Sequence, residues 1–258
     1  MMLLAIDCGN TNTVFAVFDG EVQRGKWRIS TQAQRTSDEY AVWLTQLMSL
    51  KGLKVADIRS AIVTTVVPGT RRNLTNLLES HFGVTPHVVR DANVDLGIKV
   101  MIERPEQAGA DRLVAAVGAH LRYAGDLIVI DFGTATTFDV IDSDGHFRGG
   151  VIAPGINLSV EALYTAGALL PRVNIERPQK VIGGATVPAM QSGIFWGYVS
   201  MIEGMVPRIV KEYGKPMKVI ATGGLASLFA DVTDIIDATE PDLTLIGLRE
   251  VARRNGIA

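Results

Sequence analysis

The sequence contains a single cysteine, Cys8, among 258 residues, and it has no long apolar run. A lone cysteine cannot form an intrachain disulfide, which is typical of proteins from a reducing compartment. No apolar run reaches the roughly 20 residues that a membrane-spanning helix needs. The opening residues, MMLLAIDCGN, lack a basic segment and soon reach Asp7, so we expect no secretory signal. These absences predict a soluble, cytoplasmic protein that does not bind a membrane.

An excess of positive charge is also absent, because 25 Lys and Arg residues face 27 Asp and Glu residues and the net charge is −2. The basic residues are scattered, so we expect no nucleic-acid partner. The four histidines lack the spacing of metal ligands, and no G-x-x-x-x-G-K-[ST] stretch occurs. Any nucleotide site must therefore differ from a P-loop.

Strand-like and helix-like patterns alternate along the whole chain, which predicts an α/β fold. Thr36 and Glu39 form a capping-box pair before one predicted helix, and further helices are expected near residues 108–121 and 187–212. The series of elements restarts at residue 127. We therefore expect two similar halves, residues 1–117 and 118–258, with a cleft between them.

The restart repeats a short acidic hairpin, since LLAIDCGNTNTVFAVFDG at residues 3–20 resembles LIVIDFGTATTFDVIDSDG at 127–145. Without gaps, the two copies match at Leu3/Leu127, Ile6/Ile130, Asp7/Asp131, Gly9/Gly133 and Thr13/Thr137. One Asp-x-Gly turn is common turn chemistry, but two copies at equivalent positions favour a shared function. Glycine turns offer backbone N–H groups to phosphates, and a carboxylate can hold the neutralising cation. The pair predicts a site that binds a nucleotide's phosphates.

With the stretch VIATGGLA at residues 219–226, these hairpins resemble the acetate and sugar kinase/actin/heat-shock ATPase superfamily. The resemblance implies two ribonuclease-H-like halves with a nucleotide cleft between them. It also implies that Gly223 and Gly224 contact the adenosine. Taken alone, Gly223-Gly224 could equally be an ordinary strand-to-helix turn.

The residues Gly109-Ala110-Asp111-Arg112 follow Pro105 at the start of a predicted helix. They could be a helix cap and a solvated charge. Alternatively, Asp111 is a general base and Arg112 holds an anionic substrate, because a kinase that phosphorylates an alcohol needs a carboxylate near the attacking hydroxyl.

The chain resembles the type III pantothenate kinase family in DCGNTNT, RPEQAGADR, IDFGTATTFDVI, GGVIAPGINLSVEALYTAGALLPRV and GGATVPAMQSGIFWGYVSMIEG, in the family's order. The resemblance implies ATP-dependent phosphorylation of the primary hydroxyl of pantothenate to 4'-phosphopantothenate, the first step of coenzyme A biosynthesis. It further implies a homodimer that uses Mg²⁺ and a monovalent cation, K⁺ or NH₄⁺.

The same resemblance implies roles for individual residues. ATP phosphates would contact Asp7, Cys8, Gly9, Asn10, Thr11, Asn12, Thr13 and Thr134. Asp7 would hold magnesium through water, and Asp131 would hold the monovalent cation. Pantothenate would contact Gly109, Ala110, Asp111, Arg112 and Thr186, with Asp111 as the proton acceptor. One position departs from the family, because Ile102 stands where many members have tyrosine.

Two other classes of protein remain open at this point. An actin-like nucleotide switch or filament protein would use the same hairpins, but the chain is short for that role and the GADR stretch has no place in it. A regulatory homologue without catalysis is the second alternative, and retention of Asp7, Asp111 and Asp131 disfavours it. Among kinases of the superfamily, a sugar kinase is the nearest competitor.

Overall fold

The computed structural model describes residues 2–257, which form two compact units. The first unit comprises the chain up to Tyr123, the short segment Gly145–Phe147 and the C-terminal segment from Leu243 onward. The second comprises Ala124–Asp144 and Arg148–Asp242. The sequence-based division between residues 117 and 118 falls inside a helix, and the C-terminal helix packs with the first unit because its apolar face is buried there.

The first unit contains a five-stranded sheet in the order β3-β2-β1-β4-β5. Its strands are β1 (Met2–Cys8), β2 (Asn12–Asp19), β3 (Val22–Ser30), β4 (Ile58–Thr65) and β5 (His87–Val88). Strands β1, β4 and β5 are parallel, and β2 is antiparallel to both β1 and β3. Strands β1 and β2 form the first acidic hairpin that the sequence predicts.

Helices cover both faces of this sheet. They are α1 (Ser37–Ser49), α2 (Arg71–Asn76) with a π-helical continuation (Leu77–Phe82), α3 (Ala110–Arg122) and α7 (Leu243–Arg254). The predicted capping box is confirmed, since the Thr36 hydroxyl accepts from the Glu39 N–H and the Glu39 carboxylate accepts from the Thr36 N–H. Helices α1 and α2 bury one apolar face of the sheet, and α3 and α7 bury the other.

Two glycines set the close crossing of α3 and α7. A Cβ on Gly247 would lie 1.9 Å from the Val114 carbonyl oxygen, and one on Gly118 would lie 2.3 Å from the Leu243 carbonyl oxygen. Only glycine, which lacks a Cβ, fits at these two positions. The close contact between the two helices fixes the position of α3, whose first turn carries Asp111.

The second unit repeats the topology of the first, with a five-stranded sheet in the order β10-β9-β6-β7-β8. Its strands are β6 (Leu127–Phe132), β7 (Ala135–Ile141), β8 (Phe147–Pro154), β9 (Lys218–Gly223) and β10 (Ala238–Thr239). Strand β6 is antiparallel to β7 and parallel to β9, as β1 is to β2 and β4. Each unit therefore has the ribonuclease-H-like strand order, which confirms the predicted duplication.

The helices of the second unit are α4 (Ile156–Ala166), α5 (Thr186–Tyr213) and α6 (Ala226–Ala230). The long helix expected near residues 187–212 is confirmed as α5. Its buried face shares one apolar cluster with the sheet, and Phe195 stacks on Phe229 of α6 with the ring centroids 5.6 Å apart. Across residues 2–257, none of the helices combines the length and apolar character needed to cross a membrane.

Candidate active site

The first acidic turn connects β1 to β2 at the carboxyl end of β1. Asp7 is half-buried, and Asn10, Thr11 and Asn12 are exposed. The turn closes on itself, because the Gly9 N–H donates a 3.0 Å hydrogen bond to the Asn12 carbonyl. The Gly9 N–H is thus used within the turn, whereas the exposed residues Asn10, Thr11 and Asn12 are accessible to a ligand.

Two residues of the predicted phosphate stretch instead point into the protein. Cys8 is 1% exposed, and Thr13 is fully buried. The Thr13 hydroxyl lies 3.2 Å from the Cys8 sulfur, and the thiol donates to the Thr70 hydroxyl at 3.3 Å. The buried side chains of Cys8 and Thr13 therefore support the turn from inside the protein.

Thr31, which directly follows β3, holds the same turn in place. Its hydroxyl donates to the Gly9 carbonyl at 2.7 Å and bonds the Thr13 hydroxyl at 2.9 Å, while its N–H donates to the Thr11 carbonyl at 2.9 Å. Sequence reasoning missed Thr31, because only the pairing of β2 with β3 brings it to the turn.

The second acidic turn connects β6 to β7 and is one residue shorter than the first. In the strand register, Cys8 lies opposite Thr13, whereas Phe132 lies opposite Thr136. The proposed match of Thr13 to Thr137 is therefore wrong, and Thr136 is the structural counterpart of Thr13. Asp7 and Asp131 keep their equivalence, since each is the next-to-last residue of its strand.

Glycines surround the carboxylate of the second turn. A Cβ on Gly223 would lie 2.5 Å from Asp131 Oδ1 and 2.7 Å from the Phe132 carbonyl oxygen, and Gly223 has φ of +90°. A Cβ on Gly155 would lie 2.1 Å from the Thr134 carbonyl oxygen. The absence of side chains lets β9 and the start of α4 approach the turn closely. The carboxylate and carbonyl oxygens near this turn are the kind of ligand atoms that hard cations prefer.

Asp111 lies in the first turn of α3, as predicted, and is half-buried. Its Oδ1 accepts a 2.8 Å hydrogen bond from the Arg112 N–H, and a Cβ on Gly109 would lie 2.5 Å from the same oxygen. Burial raises the pKa of the Asp111 carboxyl, and the N–H and positive charge of Arg112 oppose part of that rise. A carboxylate with a raised pKa is suited to accept a proton.

Arg90 fixes where α3 begins, and sequence reasoning missed it as well. It follows β5 in a left-handed conformation (φ 77°), and its guanidinium donates to the carbonyls of Pro105 and Ala108. Its neighbour Val89 donates to the Val63 carbonyl of β4. The start of α3 therefore lies at the carboxyl end of the parallel strands, the end at which β1 carries Asp7.

Thr186 belongs to the second unit, where it is the exposed first residue of α5. It lines a largely apolar cavity of about 610 Å³ whose other walls include Pro154, Leu163, Met190 and Tyr198. The Tyr198 hydroxyl donates to the Pro154 carbonyl at 2.6 Å, which fixes one wall of the cavity.

No group of three or more histidine, cysteine, aspartate or glutamate side chains gathers at a metal-binding distance anywhere in residues 2–257. Magnesium that accompanies a nucleotide needs no such group, because it takes one or two carboxylates, phosphate oxygens and water. The half-buried carboxylate of Asp7, next to the exposed residues 10–12, fits that kind of site.

Two ribonuclease-H-like units, each with an acidic glycine turn after its central strand, make up the fold that actin-like ATPases and sugar kinases share. Solved structures support this fold. The chain is similar to a Baf family transcriptional activator from Campylobacter jejuni (TM-score 0.62, 18% identity, 98% of each chain). It is also similar to the activator of 2-hydroxyisocaproyl-CoA dehydratase from Clostridium difficile with bound ADPNP (TM-score 0.57, 16% identity, 99% of this chain and 94% of that one).

The chain belongs to the type III pantothenate kinase family. A family model of that description matches residues 3–208. The type III pantothenate kinase of Paramagnetospirillum magneticum is 61% identical over 254 residues, which covers 98% of each chain.

Proposed function

We propose that this chain transfers the γ-phosphoryl group of ATP to the primary hydroxyl of pantothenate and produces 4'-phosphopantothenate, the first step of coenzyme A biosynthesis. The observation that carries this proposal is the family membership over nearly the whole chain. The half-buried Asp111, at the sheet end where Asp7 lies, supplies the base that the reaction requires.

The phosphate donor is ATP with a divalent cation, as in other kinases. Residues 9–12 and the turn at Thr134 would bind the phosphates, and Asp7 would hold magnesium through a bound water. Magnesium neutralises phosphate charge when bound. Gly223 and Gly224, at the end of β9, contact the adenosine. Because phosphoryl transfer needs little covalent chemistry from the protein, these groups act by positioning and electrostatics.

Asp111 accepts a hydrogen bond from the primary hydroxyl of pantothenate and orients the hydroxyl oxygen toward the γ-phosphorus. The new O–P bond forms as the bond to the β,γ-bridging oxygen breaks, ADP leaves, and Asp111 takes the hydroxyl proton. Arg112 binds the carboxylate of pantothenate, because a guanidinium matches a carboxylate in charge and geometry. Gly109, Ala110 and Thr186 complete the pantothenate contacts.

We further propose that Asp131 holds the monovalent cation, K⁺ or NH₄⁺. The support is its carboxylate beside the Phe132 carbonyl and the glycine backbone of Gly223. Such oxygen donors suit a hard cation, whose charge would offset that of the phosphates.

A homodimer in the cytoplasm is also part of the proposal. Large apolar side chains are exposed on the second unit, among them Leu169 (93%), Ile182 (87%), Ile152 (64%) and Leu158 (54%). Exposed apolar side chains are typical of protein interfaces where they form a contiguous patch. Sedimentation equilibrium at micromolar concentration tests the dimer, and a monomer mass would contradict it.

The two alternative classes are not favoured, because full-length relatives at 53–61% identity carry the name type III pantothenate kinase. A coupled ADP-release assay tests the substrate with pantothenate and with a panel of sugars, in potassium and in sodium buffers. We expect turnover with pantothenate that requires potassium. Turnover with a sugar alone would contradict the proposal.

A further inference from the structure

Thr64 presents a buried hydroxyl that the fold does not use. It is the next-to-last residue of β4 and is fully buried. Its Oγ1 has no hydrogen-bond partner within residues 2–257. Buried hydroxyls in strands usually bond a carbonyl or another side chain, so Thr64 is an exception that needs a reason.

The hydroxyl lies beside the magnesium carboxylate proposed above. In the register of the parallel strands, Asp7 of β1 is the direct partner of Thr64 of β4. Ala5 and Ile62, two residues earlier in each strand, share one apolar cluster with Ala110 of α3. Because side chains alternate along a strand, Asp7 and Thr64 lie on that same face of the sheet.

The position of the pair along the strands is equally specific. Asp7 and Thr64 stand at the carboxyl ends of β1 and β4, the end at which Arg90 fixes the start of α3. The unpaired hydroxyl therefore stands at the end of the sheet where Asp7 lies and near which α3, the helix that carries Asp111, begins.

Threonine is an unfavourable choice here on packing grounds alone. A buried hydroxyl without a partner costs about 1–3 kcal/mol. Valine has the same branched shape and would fill the same space without that cost. The hydroxyl of Thr64 therefore has a use that the folded chain by itself does not reveal.

The second unit repeats the arrangement. Asp131 of β6 is the direct register partner of Thr222 of β9, and Thr222 is 4% exposed. An aspartate on the central strand with a buried threonine on its parallel neighbour thus occurs at the equivalent place in both sheets. The repeat associates a buried threonine with the aspartate of each acidic turn.

We propose that the Thr64 hydroxyl accepts a hydrogen bond from a magnesium-bound water that Asp7 attracts, which makes Thr64 a further residue of the magnesium–nucleotide site. This inference rests on the proposed function. Magnesium retains several of its waters when it binds with a nucleotide, and these waters need acceptors. The unpaired hydroxyl of Thr64, on the strand next to Asp7, can supply one such acceptor.

The test compares Thr64→Val, which removes the hydroxyl but keeps the shape, with Thr64→Ser, which keeps the hydroxyl. Thr45→Val serves as a matched control, because the Thr45 hydroxyl on α1 already bonds the Ala41 carbonyl at 2.7 Å. Each variant is saturated with a non-hydrolysable ATP analogue, and Mg²⁺ affinity is measured by calorimetry. Thermal melting and ADP-release kinetics are measured on the same preparations.

We expect Thr64→Val to bind Mg²⁺ about tenfold more weakly, by the loss of one hydrogen bond. Its melting temperature should equal or exceed that of the wild type, since an unpaired polar group has been removed. In kinetics, the Mg²⁺ concentration for half-maximal rate should rise while the KM for pantothenate stays constant. Thr64→Ser should bind Mg²⁺ like the wild type. Thr45→Val should change neither the Mg²⁺ affinity nor the Mg²⁺ concentration for half-maximal rate.

Two results would overturn the inference. A lower melting temperature for Thr64→Val with unchanged Mg²⁺ affinity would show that the hydroxyl is structural. A raised KM for pantothenate with unchanged Mg²⁺ affinity would assign the hydroxyl to the acceptor instead. Failure of the proposed function is distinguishable, because the wild type would then bind Mg²⁺ and the ATP analogue without phosphorylating pantothenate.

Discussion

The hydroxyl of Thr31 donates a 2.7 Å hydrogen bond to the carbonyl oxygen of Gly9. The same hydroxyl bonds that of Thr13, so one side chain at the end of β3 connects both sides of the first acidic turn. The conformation in which residues 9–12 present their donors therefore depends on a residue outside the turn.

Replacing Thr31 with valine should impair binding of ATP more than binding of pantothenate. Both hydroxyl bonds are lost, and we expect the KM for ATP to rise about tenfold, with a loss of stability of about 1–2 kcal/mol. Initial rates over a range of both substrates measure the two KM values. Thr31→Ser should restore the KM for ATP, and equal rises in both KM values for Thr31→Val would contradict a role specific to this turn.

Replacing Asp111 with asparagine should remove the base while leaving ATP affinity intact. General-base catalysis contributes typically 10²–10⁴-fold, so kcat should fall by at least about 100-fold. As the proposed base, Asp111 must be ionised for the wild type to be active. Because burial raises the pKa of Asp111, the acidic limb of the pH–kcat profile should lie above the ordinary range for aspartate. Glu106→Gln, which alters an exposed carboxylate five residues earlier, should keep both rate and profile.

The same raised pKa has a consequence for stability. A carboxyl whose pKa is higher in the folded than in the unfolded state destabilises the fold once pH exceeds the unfolded value. Asp111→Asn should therefore be more stable than the wild type at neutral pH, and the difference should vanish at acidic pH where both forms are neutral. Urea unfolding at several pH values measures this, and a less stable variant at neutral pH would contradict the desolvation of Asp111.

Much of the fold and the acidic turns follow from local patterns in the sequence. The strand before each Asp-x-Gly, the capping box at Thr36 and the start of α3 were predicted, because each depends on residues close together in the chain. The duplication was visible for the same reason. Its match at Thr13 failed only because a turn shorter by one residue cannot be recognised without the strand register.

The rest of the site depends on contacts between distant segments. Thr31 reaches Gly9 through strand pairing, and Arg90 reaches the carbonyls before α3 from the end of β5. Thr64 looks like any threonine in a strand until its register partner and its missing hydrogen bond are known. The packing of α7 on α3 likewise depends on Gly247, which contacts Val114 although the two residues are 133 positions apart in the sequence.

Replacing Gly223 with alanine should weaken the response to potassium. The new Cβ would lie 2.5 Å from Asp131 Oδ1, so the carboxylate must move. We expect the K⁺ concentration for half-maximal rate to rise at least about tenfold, since even small displacements of a ligand weaken a cation site. Gly214→Ala is the control, because its φ of +81° imposes the same backbone strain with no atom within 4 Å of the new Cβ. Equal potassium responses in the two variants would contradict the assignment of Asp131.

Replacing Gly247 with alanine should destabilise the protein and displace α3. The added Cβ would lie 1.9 Å from the Val114 carbonyl oxygen, and overpacking of this kind typically costs about 1–3 kcal/mol. Thermal or urea unfolding measures the loss. Gly204→Ala on α5 should not destabilise, because its Cβ would meet only the end of the Arg208 side chain, at 3.0 Å. An unchanged stability for Gly247→Ala would contradict the close helix crossing.

The most direct test of the account is the identity of the product that the purified chain forms from ATP and pantothenate. Mass spectrometry and ³¹P NMR of the reaction mixture distinguish a phosphate ester on the primary hydroxyl from one on the secondary hydroxyl. We predict 4'-phosphopantothenate and an equal amount of ADP from the wild type, and only a trace of either from Asp111→Asn. Absence of phosphorylated pantothenate from the wild type, or its undiminished formation by Asp111→Asn, would contradict the account.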